Sequence, residues 1–259
     1  MPKTISMFDI AIDNVSMAEL MPKLKFGGVV FTPNVDHVMR LRHDVGFRDV
    51  YRSATYRTCD SQVLMYASRL LGKPLVERIS GSDLFPAFCE HYAADEDVKV
   101  FLLGAMEGVA AIAQERINSK VGREMVVGVY SPPFGFEHDE AECDRIIEMI
   151  EASGANVLAL GLGTPKQERW IYSHKDRFNQ VKLFLAIGAT IDFEAGNVQR
   201  APKWVSDTGL EWMYRLLREP RRLWKRYILH DLPFIWVLLE EFIKSKRQPT
   251  VERAGSPSN

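Results

Sequence analysis

The chain has 259 residues, 46% hydrophobic and 26% charged, with a formal net charge of −1. That is ample for a large α/β domain with a sizeable buried core, and the near-neutral balance gives no sign of a nucleic-acid partner. The three cysteines, Cys59, Cys89 and Cys143, are odd in number and widely spaced, which argues against a disulfide framework or a cysteine zinc site and fits a reducing cytoplasm.

The opening residues, MPKTISMFDIAIDNVSM, lack a basic stretch followed by an apolar one and read as no signal peptide. Gly28–Phe31 predicts a strand, Thr32-Pro33-Asn34 a turn, and Val35–His43 a helix. Val98–Leu103 predicts a strand leading through Gly104 and Gly108 into a helix to about Ile117. Met125–Tyr130 is a further strand, Asp139–Ala152 an amphipathic helix, and Asn156–Leu160 a strand before Gly161-Leu-Gly-Thr-Pro-Lys-Gln-Glu168 opens another helix. Lys182–Ile187 is the last strand, ending at Gly188-Ala189. Strands with little internal polarity, separated by helices, predict a mostly parallel Rossmann-like sheet covered on both faces. Ligands then bind at the carboxyl ends of the strands. The reading divides the chain into an α/β catalytic core at 1–195, a helical basic C-terminal appendage at 196–246 and a polar, disordered tail at 247–259.

Several groups fall at those strand ends. Thr32 and Asn34 either hold a substrate or make turn hydrogen bonds. Asp60 is either a helix N-cap or a general base that takes the proton of an attacking hydroxyl. Arg78 is a surface arginine or a partner for diphosphate charge. Gly104-x-x-x-Gly108 is a tight turn or a phosphate cradle. Gly161 and Gly163 let backbone approach a ligand, with Lys166 and Gln167 at the start of the following helix, where Gln167 and Glu168 could equally be caps. The one D-x-D sequence, Asp95-Glu96-Asp97, precedes a strand and so stands at the other sheet end, and the six histidines show no ligand spacing. No essential metal and no cofactor are expected.

Between Trp212 and Tyr227 lie six cations (Arg215, Arg218, Arg221, Arg222, Lys225 and Arg226) against one anion, Glu219, interleaved with aromatics. The apolar run Leu232–Leu239 follows, far short of the roughly 20 residues that span a bilayer. Such a segment is an amphipathic helix on the core or, as the charge concentration favours, a surface for an anionic membrane.

The order of motifs resembles one family. Thr32-Pro-Asn34, Asp60, Arg78 with Gly81 and Asp83, Phe101-Leu-Leu-Gly104, Pro132-Pro133-Phe134, Gly161 through Glu168, Gly188-Ala189 through Asp192-Phe193, Arg200-Ala-Pro202, and Gly209-Leu-Glu-Trp212 with Tyr214-Arg215 together resemble the WecG/TagA/CpsF glycosyltransferases, glycosyltransferase family 26. The resemblance implies inverting, metal-independent transfer from a UDP-sugar to an undecaprenyl-diphosphate-linked saccharide, in exopolysaccharide or cell-surface polysaccharide synthesis. It places the base on Asp60 and substrate contacts on Thr32, Asn34, Arg78 and Gln167. It also implies an appendage that docks on the inner face of the bacterial cytoplasmic membrane and completes the site with arginines, drawn here from Arg215, Arg218, Arg221 and Arg222. Ser61 departs from the glycine usual after the base. Overall similarity leans to a neutral hexose donor, and a homo-oligomer is compatible. The alternative is a scaffold that binds a nucleotide-sugar without turnover. A nicotinamide-dependent dehydrogenase lacks its G-x-G-x-x-G fingerprint here.

Overall fold

The computed structural model describes residues 3–202, 205, 208, 210–218, 220, 224 and 232–247. It opens on an antiparallel hairpin of β1 (Lys3–Met7) and β2 (Ile10–Asn14), which the sequence reading did not anticipate. The turn residues Phe8 and Asp9 both have positive φ, 56° and 61°, as a two-residue hairpin turn of matching twist requires. Phe8 is held there by burial, its ring edge-on to Phe234 with centroids 5.1 Å apart.

The chain continues through α1 (Met17–Leu24), β3 (Gly28–Phe31), α2 (Val35–His43), α3 (Val45–Arg52), β4 (Tyr56–Arg57), α4 (Gln62–Leu70) and α5 (Gly81–His91). Next come β5 (Val100–Gly104), α6 (Val109–Val121), β6 (Val126–Tyr130), a 3-10 turn at Phe136–His138, and α7 (Glu140–Ala152). Then follow β7 (Val157–Gly161), α8 (Lys166–His174), β8 (Leu183–Ala186) and α9 (Thr190–Glu194). A C-terminal extension carries α10 (Glu211–Arg218) and α11 (Phe234–Arg247). Helix starts follow local chemistry: Ser16 and Glu19 form a capping box on α1, and Ser80 and Asp139 cap α5 and α7.

Six strands form one parallel sheet in the order β4-β3-β8-β7-β5-β6. A parallel sheet must be covered on both faces, and alternate residues of each strand serve the two cores. Phe101, Leu103, Leu158 and Leu160 face a core shared with α2, α3, α4, α7, α8, the hairpin and α11. Val100, Leu102, Val157 and Ala159 face a core with α1, α5, α6 and α9. The fold is thus α/β, a parallel sheet flanked by helices with a helical C-terminal extension, as the sequence predicts. All three cysteines are buried in these cores, where burial pushes the thiols of Cys59 and Cys89 up to about 12.

β3 and β8 are neighbours, and the helix after β3 (α2) lies on one face and the helix after β8 (α9) on the other, an alternation that recurs along β8, β7, β5 and β6. Where successive crossovers diverge in this way, the carboxyl ends of the strands leave a cleft open to a ligand.

Candidate active site

Three extended segments run side by side beyond the carboxyl ends of β3 and β4. Thr58 N–H donates to Phe31 O (3.0 Å), Asp60 N–H to Pro33 O (2.9 Å) and Ile79 N–H to Cys59 O (2.8 Å). The buried Thr58 hydroxyl adds a bond to Ile79 O at 3.0 Å. This stitching carries Thr32, Asn34, Asp60 and Arg78 onto adjacent segments at one sheet end, although the sequence separates the outermost pair by 46 positions.

Asp60 is not the helix cap. The residue that caps α4 is Ser61, whose side chain accepts from Leu64 N–H at 3.3 Å. Ser61 sits at φ −136°, ψ 121°, extended backbone open to any residue, so a glycine is not needed for the chain to turn here. The Asp60 side chain is half-buried and stands within electrostatic reach of Tyr51 and Cys59.

Arg78 approaches Asp83 (3.4 Å), and Arg200 clasps the same carboxylate at 2.6 Å while also donating to Ser82. Burial pushes Asp83 up, but hydrogen bonds from Arg200 and Ser80 outweigh it and hold the carboxyl below the usual range. Arg200 was quoted in the sequence only as a motif residue; here it ties the start of the C-terminal extension to α5.

The β7 and β8 ends contribute a buried polar cluster. Gln167 and Glu168 are 4% and 1% exposed. They do not cap α8, whose N-cap position is Pro165 with no side-chain hydrogen bond. Gln167 Nε2 donates to Glu168 Oε1 (2.8 Å), and Gly188 N–H donates to Gln167 Oε1 (3.2 Å). Thr164 Oγ1 donates to Glu168 Oε1 at 3.0 Å, and His37 Nε2 lies 3.3 Å from the same oxygen. His37 in turn joins Asn34, its Nδ1 2.8 Å from Oδ1. Burial alone would raise Glu168, yet the contacts from His37 and Gln167 prevail and hold its carboxyl below the ordinary range. His37 and Thr164 were not singled out in the sequence. The available signal was the i, i+3 spacing of Asn34 and His37, a capping box with His in the usual Glu place.

The remaining candidates separate. Gly104 and Gly161 pair across β5 and β7, and a Cβ on Gly104 would stand 2.5 Å from Gly161 O. Close backbone packing accounts for Gly104. Gly163, at φ 78°, has nothing within 4 Å of the Cβ position and opens onto free space. The Lys166 ammonium pairs with Glu137 at 2.9 Å and lies over the Phe134 and Phe136 rings. Asp95, of the D-x-D sequence, pairs with Lys25 in the loop before β5, at the opposite sheet end. Among the described residues no group of three or more His, Cys, Asp or Glu is placed to hold a metal ion.

Arg215 lies on α10, its side chain outside the description, and Arg221 and Arg222 lie outside the described residues, as do 248–259. α11 packs Phe234 and Val237 inward and pairs Glu240 with Arg42 (2.8 Å). Its other side shows Ile235, Trp236, Leu239 and Ile243 to solvent. Among the described residues no helix is long and apolar enough to cross a membrane.

A parallel α/β sheet with a carboxylate, an arginine and amides gathered beyond the carboxyl ends of its strands is an architecture suited to binding a charged, hydroxyl-rich ligand. The sequence profile of the "Glycosyl transferase WecG/TagA/CpsF family" matches residues 5–248. Three similar curated proteins carry the name N-acetylglucosaminyldiphosphoundecaprenol N-acetyl-beta-D-mannosaminyltransferase. The Bacillus spizizenii protein is 32% identical over 202 residues, covering 78% of this chain and 75% of the relative. The Staphylococcus aureus protein is 27% identical over 256 residues, 94% of each chain. The Bacillus subtilis protein is 29% identical over 229 residues, covering 88% and 86%. The chain belongs to the WecG/TagA/CpsF family of glycosyltransferases.

Proposed function

We propose that the protein transfers a sugar, with inversion and without a metal, from a UDP-sugar to a saccharide carried on a lipid diphosphate of the undecaprenyl type. The observation that carries the proposal is the backbone stitching that brings Thr32, Asn34, Asp60 and Arg78 to one sheet end, with Ser61 and not Asp60 capping α4. In this reading Asp60 accepts the proton of the acceptor hydroxyl as its oxygen bonds to the anomeric carbon. The bond from that carbon to UDP breaks on the opposite face, which inverts the centre, and UDP departs with the electron pair. Arg78 and backbone N–H groups around the open Gly163 turn face the growing diphosphate charge, the electrostatic work a metal performs elsewhere. The appendage arginines, Arg215 and Arg221 among them, are proposed to complete that shell.

The acceptor's lipid requires a membrane-proximal enzyme. The proposed setting is the inner face of the bacterial cytoplasmic membrane, with residues 1–195 as catalytic core and 196–246 as appendage. The cation-rich stretch from Arg215 to Arg226 and the outward apolar side of α11 support that reading. Each basic residue near an anionic leaflet contributes about 1 kcal/mol. Sedimentation with vesicles is expected to carry the protein down with phosphatidylglycerol-containing membranes and to leave it in solution with purely zwitterionic ones. Equal partition into both would remove the electrostatic half of the argument.

The donor is open to direct test. At 27–32% identity to N-acetylmannosaminyl transferases, UDP-N-acetylmannosamine and neutral UDP-hexoses are the first donors to try. With a short-chain lipid-diphosphate-sugar acceptor, one donor is expected to give acceptor-dependent UDP release that EDTA leaves unchanged. Loss of activity with EDTA, restored by a divalent cation, would overturn the metal-independent part. Binding without release from any donor would favour the scaffold reading.

A further inference from the structure

The Asn34, His37, Glu168 and Gln167 chain joins three strand ends through a single carboxylate oxygen. Asn34 follows β3, Thr164 and Glu168 follow β7, and Gly188 follows β8. Glu168 Oε1 gathers contacts from Gln167 Nε2 (2.8 Å), Thr164 Oγ1 (3.0 Å) and His37 Nε2 (3.3 Å). An ionised carboxylate only accepts, so it orders every donor that reaches it. The Gln167 amide is fixed at both ends, its Nε2 on Glu168 and its Oε1 under the Gly188 N–H. His37 Nε2 also lies 2.7 Å from Thr164 Oγ1. The hydroxyl proton goes to Glu168, so the hydroxyl oxygen is left to accept from Nε2, which therefore carries a proton. On the ring's far side, Nδ1 accepts from the Asn34 backbone N–H (3.2 Å) and lies 2.8 Å from Asn34 Oδ1, the oxygen that also accepts from the His37 backbone N–H (3.4 Å).

A carboxylate buried to 1% exposure is a costly way to fill space. Its second oxygen, Oε2, is buried with no hydrogen-bond partner in the structure, and so is the Tyr51 hydroxyl. A core built for stability alone would place an apolar side chain there. The arrangement makes sense if orientation is what the carboxylate provides.

Resting on the transferase reading above, we infer that Glu168, acting through His37, is the positioning residue that sets the side chains of Asn34 and Gln167 for substrate. Glu168 touches neither substrate nor reacting atoms in this assignment. It holds the two amides, one at the start of α2 and one in the first turn of α8, in one fixed relation. Misplacement of positioning groups by about 1 Å can cost on the order of 100-fold in rate.

The test is a double-mutant cycle on the full chain with E168Q and H37Q. Each single variant is expected to lower kcat/KM about 10- to 100-fold. The double variant is expected to be no worse than the weaker single, because both act through one chain. Wild-type kcat/KM in E168Q, or losses in the cycle that simply multiply, would overturn the inference. Should E168Q fail to fold, T164V removes the hydroxyl shared by His37 and Glu168 and is expected to cost several-fold in kcat/KM. An unchanged T164V would then count against the inference. A second readout is independent of turnover. Proton–nitrogen NMR of 15N-histidine-labelled wild type should show one ring N–H protected from exchange, lost in E168Q and T164V. If wild type shows no transfer with any donor but the protected N–H behaves as stated, the transferase reading fails while the ordering network stands. If wild type transfers sugar but no such N–H exists, this inference alone falls.

Discussion

Replacing Asp60 with Asn is expected to lower acceptor-dependent sugar transfer by about 10²- to 10⁴-fold, the usual contribution of a positioned general base. The protein is expected to fold and melt like wild type. Two observations make the contrast sharp. The cap of α4 belongs to Ser61, so no helix start is lost, and the Asp60 backbone N–H bond to Pro33 O does not involve the side chain. The Asn amide is isosteric with the carboxylate but cannot take a proton at neutral pH. The check is UDP release with acceptor present, beside a thermal melt. A variant that melts normally and transfers at the wild-type rate would end the assignment of Asp60 as base. A variant that loses both fold and activity would mean that the carboxylate serves structure after all.

Gly104→Ala is the second large effect, and it falls on folding. Gly104 has φ 129°, and its Cβ would stand 2.5 Å from Gly161 O and 2.6 Å from Gly161 C. Both obstacles are backbone of the neighbouring strand β7, inside the sheet, so neither can swing aside. Overpacking and an unfavourable φ together are expected to cost about 3 kcal/mol or more, a large share of a typical domain's stability. Gly163→Ala is the control. Its φ is 78° but nothing lies within 4 Å of the added methyl, so the cost is the backbone term alone, about 1–2 kcal/mol. Chemical denaturation of the two variants separates them: Gly104→Ala should be poorly folded or much less stable, and Gly163→Ala folded. Equal stability would show that the sheet can shift to admit a methyl at Gly104. The comparison also separates the two glycines, one pressed against a neighbouring strand and one opening onto free space.

The parallel strands were legible because each is a run with few polar residues, such as Val-Phe-Leu-Leu-Gly for β5, and a sheet buried on both faces needs little else. β4 escaped because it is two residues long, Tyr56–Arg57, and half exposed at the sheet edge. The hairpin escaped because its turn is Phe8-Asp9, without the Gly or Asn that usually marks positive φ; the contact that makes it tenable comes from Phe234, at the far end of the sequence. The site was read unevenly for the same reason. Asp60 could be placed at a strand end, but whether it capped α4 depended on a one-residue difference in the helix start. Lys166 looked available until its ion pair with Glu137, 29 positions earlier, entered. Glu168 resembled a cap because capping and burial share one sequence pattern. Only the packing of α8 against α2 tells which face of the helix it occupies.

The C-terminal extension is fastened twice. Before it, Arg200 is clamped to Ser82 and Asp83 on α5; after most of it, Phe234 is wedged against Phe8 of the hairpin and Arg42 holds Glu240. The cations from Arg215 to Arg226 therefore sit on a span moored at both banks, not on a trailing line. In the transferase reading proposed above, groups on a segment tethered at both ends would meet the site at a local concentration set by the tethers and indifferent to dilution of the protein. On that reading the effectiveness of those arginines would depend on residues that carry no charge toward substrate at all, and loosening the Phe8–Phe234 contact would weaken transfer without altering a single cation.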